Sequence, residues 1–279
     1  MFLEIIKFII YSALIVLISK YILVTTLRKL AESLKLKPKT VGNIAGYATS
    51  IPELLTITTS SLRGLSGASV YNIISSNVIN FIQYIGAILL NKNVDKIKNR
   101  AIITDIILVI FTILIPIVLL KMNIELNIMI VPIFVILYIL FRVINDNVHK
   151  MYLKNEDEKI EHEIEVEEEK ESKNRFQTIK YIIYLVITGF LLYFVGDKLG
   201  NTLETLCKLF NISEAIIGIL LGFITSIPEL MTFFESQKHY KNEDDDMLGV
   251  VEATNNLLTS NILNLFAIQT IGILITSIL

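Results

Sequence analysis

Two carboxylates, Glu53 and Glu229, stand where a carboxylate is hardest to explain as filler. Each follows a proline inside an otherwise apolar stretch: residues 46–56 read GYATSIPELLT and residues 222–232 read GFITSIPELMT. The unbroken block TSIPEL occurs in both. Further on, residues 76–81 read SNVINF and residues 260–265 read SNILNL, so two motifs recur in the same order. An ionised side chain at membrane depth is costly unless it is paired or coordinating, and marks function by default. The spans are expected to carry no Lys or Arg at matching depth, so the implied partner is a cation from solution. Two carboxylates balance one divalent ion, and hard oxygen ligands favour Ca2+ or Mg2+ over Zn2+ or Cu2+.

Spacing predicts a shared face. On a helix Thr49 and Glu53 are i,i+4, Ser50 and Glu53 are i,i+3, and Gly46 lies one turn below. The same holds for Thr225, Ser226, Glu229 and Gly222. Pro52 removes the donor to the Ala48 carbonyl and Pro228 that to Ile224, leaving free carbonyl oxygens beside each carboxylate. Ser76 with Asn80, and Ser260 with Asn264, add hydroxyl and amide oxygens, and Asn72, Asn77, Asn256 and Asn261 thicken the polar seam. Taken singly, a proline in a spanning helix is often a kink, hydroxyls often bond back to the helix, and Asn77 and Asn261 could be interhelical glue. Repetition of Glu with Thr, Ser and Pro in both halves outweighs that reading. For Asn72 and Asn256 both roles stay open.

The elements that must position these groups are membrane spans. The chain has 279 residues, 53% of them hydrophobic, and a mean hydropathy of +0.62. A spanning helix needs about 20 apolar residues, and eight candidates fit: 2–27, 41–62, 67–90, 101–120, 124–145, 177–199, 213–235 and 248–276. The expected class is an all-α polytopic membrane protein of about eight helices. Its first half is 1–145 (motif region 42–90), and its second is 177–279 (motif region 218–272). Between them, 146–176 reads as a solvated linker dense in acids from Glu156 to Glu171, without the ligand spacing of an EF-hand. A net charge of −2 gives no footing for nucleic acid, and the single Cys207 allows neither an intrachain disulfide nor a thiolate cluster. The three histidines, His149, His162 and His239, are expected in polar loops. Asp105 and Glu4 are expected near span ends, and Glu252 at a solvated helix start, with a cation entry vestibule as the alternative reading.

Basic residues set the orientation. Arg28, Lys29, Lys35, Lys37 and Lys39 follow the first span, Lys92, Lys96, Lys98 and Arg100 the third, Lys150, Lys154 and Lys159 the fifth, Lys238 and Lys241 the seventh. With eight spans these loops share one side. That side is expected to be cytoplasmic, with the linker inside and both termini outside a cell membrane. Spans two and seven then run in opposite directions, and antiparallel repeats interrupted by proline point to a transport site near the midplane.

At TSIPEL and SNxxN the chain resembles the cation/Ca2+ exchanger superfamily, in particular the sodium/calcium exchanger type. The resemblance implies an inverted-repeat fold and antiport of Ca2+ for Na+ by alternating access, with no cofactor and no enzymatic activity. Carried over by motif, Glu53 and Glu229 would be central ligands, with Thr49 and Thr225 oxygens close to Ca2+. Ser50, Ser226, Ser76 and Ser260 would line Na+ positions, Gly46 and Gly222 would offer carbonyls, and Asn80 and Asn264 would sit at the centre. Spans one and six would slide against the core. The chain departs from the family at Ala48 and Ile224, at Ser75 and Thr259, and at Asn264, where the family often has an acid. That last change leaves H+ open as the counter-ion. The family commonly has ten helices; the absence of a ninth and tenth span would expose the core and favour a homodimer. The alternatives are exchange of another divalent ion, a cation channel, and an intramembrane protease with a glutamate dyad.

Overall fold

A computed structural model of the chain describes residues 2–34, 36–124, 126–152, 175–241 and 246–279. Among these residues the regular structure is helical throughout. The first span comprises α1 (Phe2–Ile18), a π-helical segment Ser19–Val24, and α2 (Thr25–Ser33). The second is split into α3 (Pro38–Thr49) and α4 (Ile51–Leu62). Then come α5 (Ser66–Leu90), α6 (Arg100–Lys121), α7 (Val131–Tyr152) and α8 (Arg175–Phe210). A second split span follows as α9 (Glu214–Thr225) and α10 (Ile227–Lys241). The last span is α11 (Asp246–Ile262), a π-helical segment Leu263–Ile268, and α12 (Gln269–Ile278).

Seven helical segments among the described residues are long and apolar enough to cross a membrane. The eighth expected span, 41–62, is α3 with α4, two 12-residue half-helices rich in hydroxyl side chains. Helix α7 runs to Tyr152, beyond the expected end at 145, because Asn145 and His149 on its last turns are buried. The acidic stretch from Glu156 to Glu171, and His162 with it, lies outside the described residues.

The main apolar core joins α5, α6, α7 and α11, with Phe266 packed edge-on against Phe134 and Phe141 at ring separations of 5.6 and 5.2 Å. A second, smaller cluster joins the first span to α8 through Ile15, Leu23, Leu192, Leu199 and Leu203. Phe2, Ile9, Phe111, Val118, Ile136, Phe190 and Phe194 are exposed, as suits a lipid-facing surface.

Between these clusters α3 crosses α11 and α9 crosses α5, at very close range. A Cβ on Gly42 would lie 2.3 Å from the Glu252 carbonyl oxygen, and one on Gly218 would lie 2.5 Å from that of Ala68. Gly46 and Gly222 continue the same stripes against Asn256 and Asn72. Small residues four apart let membrane helices approach backbone to backbone. Here the approach brings each split span onto the SN helix of the other half.

Candidate functional site

The two proline motifs break their helices at the same place. Ser50 has φ −81° and ψ 0°, and Ser226 has φ −80° and ψ −1°. Pro52 and Pro228 supply no N–H, so each helix stops and restarts. Glu53 thereby falls in the first turn of α4 and Glu229 in the first turn of α10. A helix N-terminus carries partial positive charge and favours a carboxylate there. The break also changes the geometry expected from spacing: Thr49 and Glu53 belong to different half-helices, as do Thr225 and Glu229.

The pairing that results is partly crossed between the halves. The hydroxyls of Thr225 and Ser76 face the Glu53 carboxylate, and those of Thr49 and Ser260 face Glu229. Ser260 donates to Glu229 Oε1 at 3.1 Å and shares a 2.9 Å hydrogen bond with Ser50. Both carboxylates are fully buried. Among the described residues, neither Glu53 oxygen has a hydrogen-bond partner, nor do Glu229 Oε2, Ser226 Oγ, Asn80 Oδ1 and Asn264 Oδ1. Buried polar atoms are normally satisfied, and each exception calls for an explanation. The carboxylate and amide oxygens among them are acceptors gathered in the motif seam, the chemistry a hard cation requires; Ser12, Ser19, Ser60, Gln83, Asn145 and Gln269 also carry an unpartnered atom, outside the motifs.

The asparagines set the spacing of the halves. Asn77 and Asn261 each donate to the other's main-chain carbonyl at 3.2 Å. Asn80 Nδ2 donates to Asn261 Oδ1 and Asn264 Nδ2 to Asn77 Oδ1, both at 3.2 Å. Asn72 donates to Thr56, which donates to the Glu53 carbonyl at 3.0 Å. Asn256 donates to Thr232, which donates to the Glu229 carbonyl at 2.8 Å. The outer asparagines therefore hold the turns that carry the glutamates. Thr56 and Thr232, which sequence reasoning passed over, close the repeated eleven-residue blocks, and that identity was the available signal. The Gly46 carbonyl accepts from the Ser50 amide at 3.2 Å and hydroxyl at 2.9 Å, and that of Gly222 from the Ser226 amide at 3.2 Å.

Four expectations about charge are corrected. Asp105 is buried, accepts from Asn145 at 2.8 Å and meets His149 Nε2 at 2.6 Å, so neither Asp105 nor His149 is a solvated group. Glu252 is buried too, bonded to Arg28 and Ser236. Arg142 is half-buried, donating to Thr259 at 3.1 Å, Asn43 at 3.3 Å and Tyr47 at 2.7 Å. A basic side chain thus reaches within one residue of Ser260. Single-sequence hydropathy places Asp105, His149 and Glu252 near span ends, where exposure is the default; only helix packing buries them.

Two split spans on crossed helices, with matched carboxylates at the crossings, define an inverted-repeat membrane protein with a buried polar midplane. A family model described as sodium/calcium exchanger protein matches residues 5–145 and 180–279. The chain belongs to the sodium/calcium exchanger protein family, a family of membrane transporters rather than enzymes. No curated protein matches it. It is similar in fold to structures of the sodium-calcium exchanger NCX_Mj. One, soaked with 100 mM Na+ and 10 mM Sr2+, has a TM-score of 0.57 at 19% identity over 99% of this chain and 83% of that one. Another, soaked with 10 mM Na+ and zero Ca2+, has a TM-score of 0.55 at 20% identity over 99% and 84%.

Proposed function

We propose that the chain is a secondary antiporter that moves Ca2+ across a cell membrane in exchange for Na+, by alternating access. The observation that carries this is the pair of buried glutamates, three of whose four carboxylate oxygens lack a hydrogen-bond donor while hydroxyls face each carboxylate. Ca2+ sits between Glu53 and Glu229, with Thr49 and Thr225 as neutral oxygen ligands. Na+ competes for oxygens of Ser50, Ser76, Ser226 and Ser260 and for the amide oxygens of Asn80 and Asn264. The Gly46 and Gly222 carbonyls stand behind them.

Coupling follows from charge. Without a cation the site holds two carboxylates in a water-poor interior, and a buried uncompensated charge is strongly unfavourable. Only a loaded site closes, and so only a loaded site changes sides. The first span and α8, packed together outside the main core, slide against it. The Arg-rich and Lys-rich loops face the cytoplasm and both ends of the chain lie outside. The two halves, 1–145 and 177–279, act as the repeat units, joined by the acidic linker 146–176, and self-association into a homodimer completes the proposal.

A proton counter-ion is the second reading, and Asn264 favours it by removing one acidic Na+ ligand from the resemblance. The test is uptake of radiolabelled Ca2+ by proteoliposomes loaded with Na+, beside vesicles carrying only a pH gradient. Uptake driven by Na+ supports the proposal; uptake driven only by protons replaces Na+ with H+.

A further inference from the structure

Buried Glu252 on α11 and half-buried Arg28 on α2 form an ion pair, with Ser236 of α10 donating to the same carboxylate oxygen. Burying such a pair is no route to stability, since desolvation consumes most of the attraction. Nor does the packing of the repeat require it. Glu252 lies eight residues before Ser260, and Ala68 lies eight residues before Ser76. Gly42 meets the Glu252 carbonyl as Gly218 meets that of Ala68, so the two positions are equivalent and the sister half packs with alanine. The charge is particular to one face of the membrane.

Its surroundings say what it does there. Leu27, Arg28, Val41, Ala45, Thr232 and Glu252 line one small cavity. Thr232 is the hydroxyl that donates to the Glu229 carbonyl and accepts from Asn256. The cavity therefore places the Arg28–Glu252 pair beside Thr232, and through Thr232 beside the turn that holds Glu229. Arg28 follows the π-helical segment Ser19–Val24, and π-turns in helices recur at functional places.

We infer that Arg28 and Glu252 are the positioning pair that holds shut the access route to Glu229 on the face where Arg28 lies. The inference rests on the exchange proposed above. With the pair made, the guanidinium neutralises Glu252 and repels an approaching cation. When the first span shifts, Arg28 leaves with it, and Glu252 becomes a free carboxylate on the route, drawing Ca2+ or Na+ toward Glu229.

The test reads accessibility rather than transport. In the full chain carrying Cys207→Ser, Val41→Cys is reacted with a membrane-impermeant maleimide applied from the Arg28 face of proteoliposomes. Arg28→Gln and Glu252→Gln are expected to speed labelling about tenfold or more, while Arg28→Lys keeps it slow. Ala87→Cys, buried in the main core, serves as the control and stays unreactive in every background. Unchanged labelling of Val41→Cys in both neutral variants overturns the inference, and so does a rise shared by Ala87→Cys, which reports general loosening. Because labelling needs no transport, absence of Ca2+ uptake by the parent chain removes the exchange proposal without deciding the gate.

Discussion

Asn77 and Asn261 grip one another across the two halves: each side-chain amide donates to the other's main-chain carbonyl at 3.2 Å. The bonds are reciprocal because the residues occupy the same place in repeated motifs on α5 and α11. Their Oδ1 atoms complete the arrangement, one accepting from Asn264 and the other from Asn80. The carboxylates lie on the half-helices packed against these two, so the grip fixes how far apart Glu53 and Glu229 stand.

Asn77→Ala removes a donor and an acceptor and leaves the Asn261 carbonyl and the Asn264 amide buried without them. Each unsatisfied buried group costs about 1–3 kcal/mol, so a loss of at least about 2 kcal/mol is expected. Asn261→Ala should match it, and the double variant should lose less than the sum, because both remove one shared network. Thermal unfolding in detergent measures all three.

Gly218→Ala places a methyl against the Ala68 carbonyl, backbone that cannot swing aside. Overpacking of this kind costs about 1–3 kcal/mol, and here it also pries α9 from α5. The expected outcome is a lower unfolding temperature together with weaker Ca2+ binding, since Gly222 and the Thr225 hydroxyl ride on the same helix. An unchanged affinity by calorimetry would separate the helix contact from the site.

The crossed pairing of hydroxyls gives a sharper test. Thr225 faces Glu53 rather than the glutamate of its own motif. Thr225→Val, which keeps the shape and removes the oxygen, should weaken Ca2+ binding about tenfold, or about 1.4 kcal/mol, and Thr225→Ser should recover most of it. A double-mutant cycle with Glu53→Gln should show coupling of about 0.5 kcal/mol or more. The cycle with Glu229→Gln should show less. Equal coupling to both would place the two carboxylates on one undivided ion with no preference between threonines.

His149→Ala leaves Asp105 buried with Asn145 alone. Leaving a buried polar group without its partner costs about 1–3 kcal/mol, whereas Asp105→Asn with His149 intact should cost less, because the amide can keep a hydrogen bond to the ring. Unfolding temperatures of the two variants, ordered that way, would confirm that this pair ties α6 to α7 structurally.

The repeat made much of this legible. TSIPEL and SNxxN located the glutamates, the proline-distorted turns and the polar seam, because proline and carboxylate in apolar surroundings leave few alternatives. The crossed hydroxyls were not legible: i,i+4 spacing assumes a continuous helix, and Ser50 and Ser226 interrupt it. Asp105, His149 and Glu252 were misplaced for one reason. Their burial comes from neighbouring helices, which hydropathy along one span does not register. The π-helical segments Ser19–Val24 and Leu263–Ile268 carry no local sequence signal of the kind proline gives, although Asn264 lies within one of them.

The proposed exchange hangs on the two glutamates, and the most direct measurement is Na+-driven uptake of radiolabelled Ca2+ by proteoliposomes bearing Glu53→Gln or Glu229→Gln. The predicted result is loss of uptake in each variant while the protein stays folded and monodisperse. Full Ca2+ uptake with either glutamate neutralised would contradict the site, and with it the scheme in which two buried carboxylates let only a loaded carrier turn.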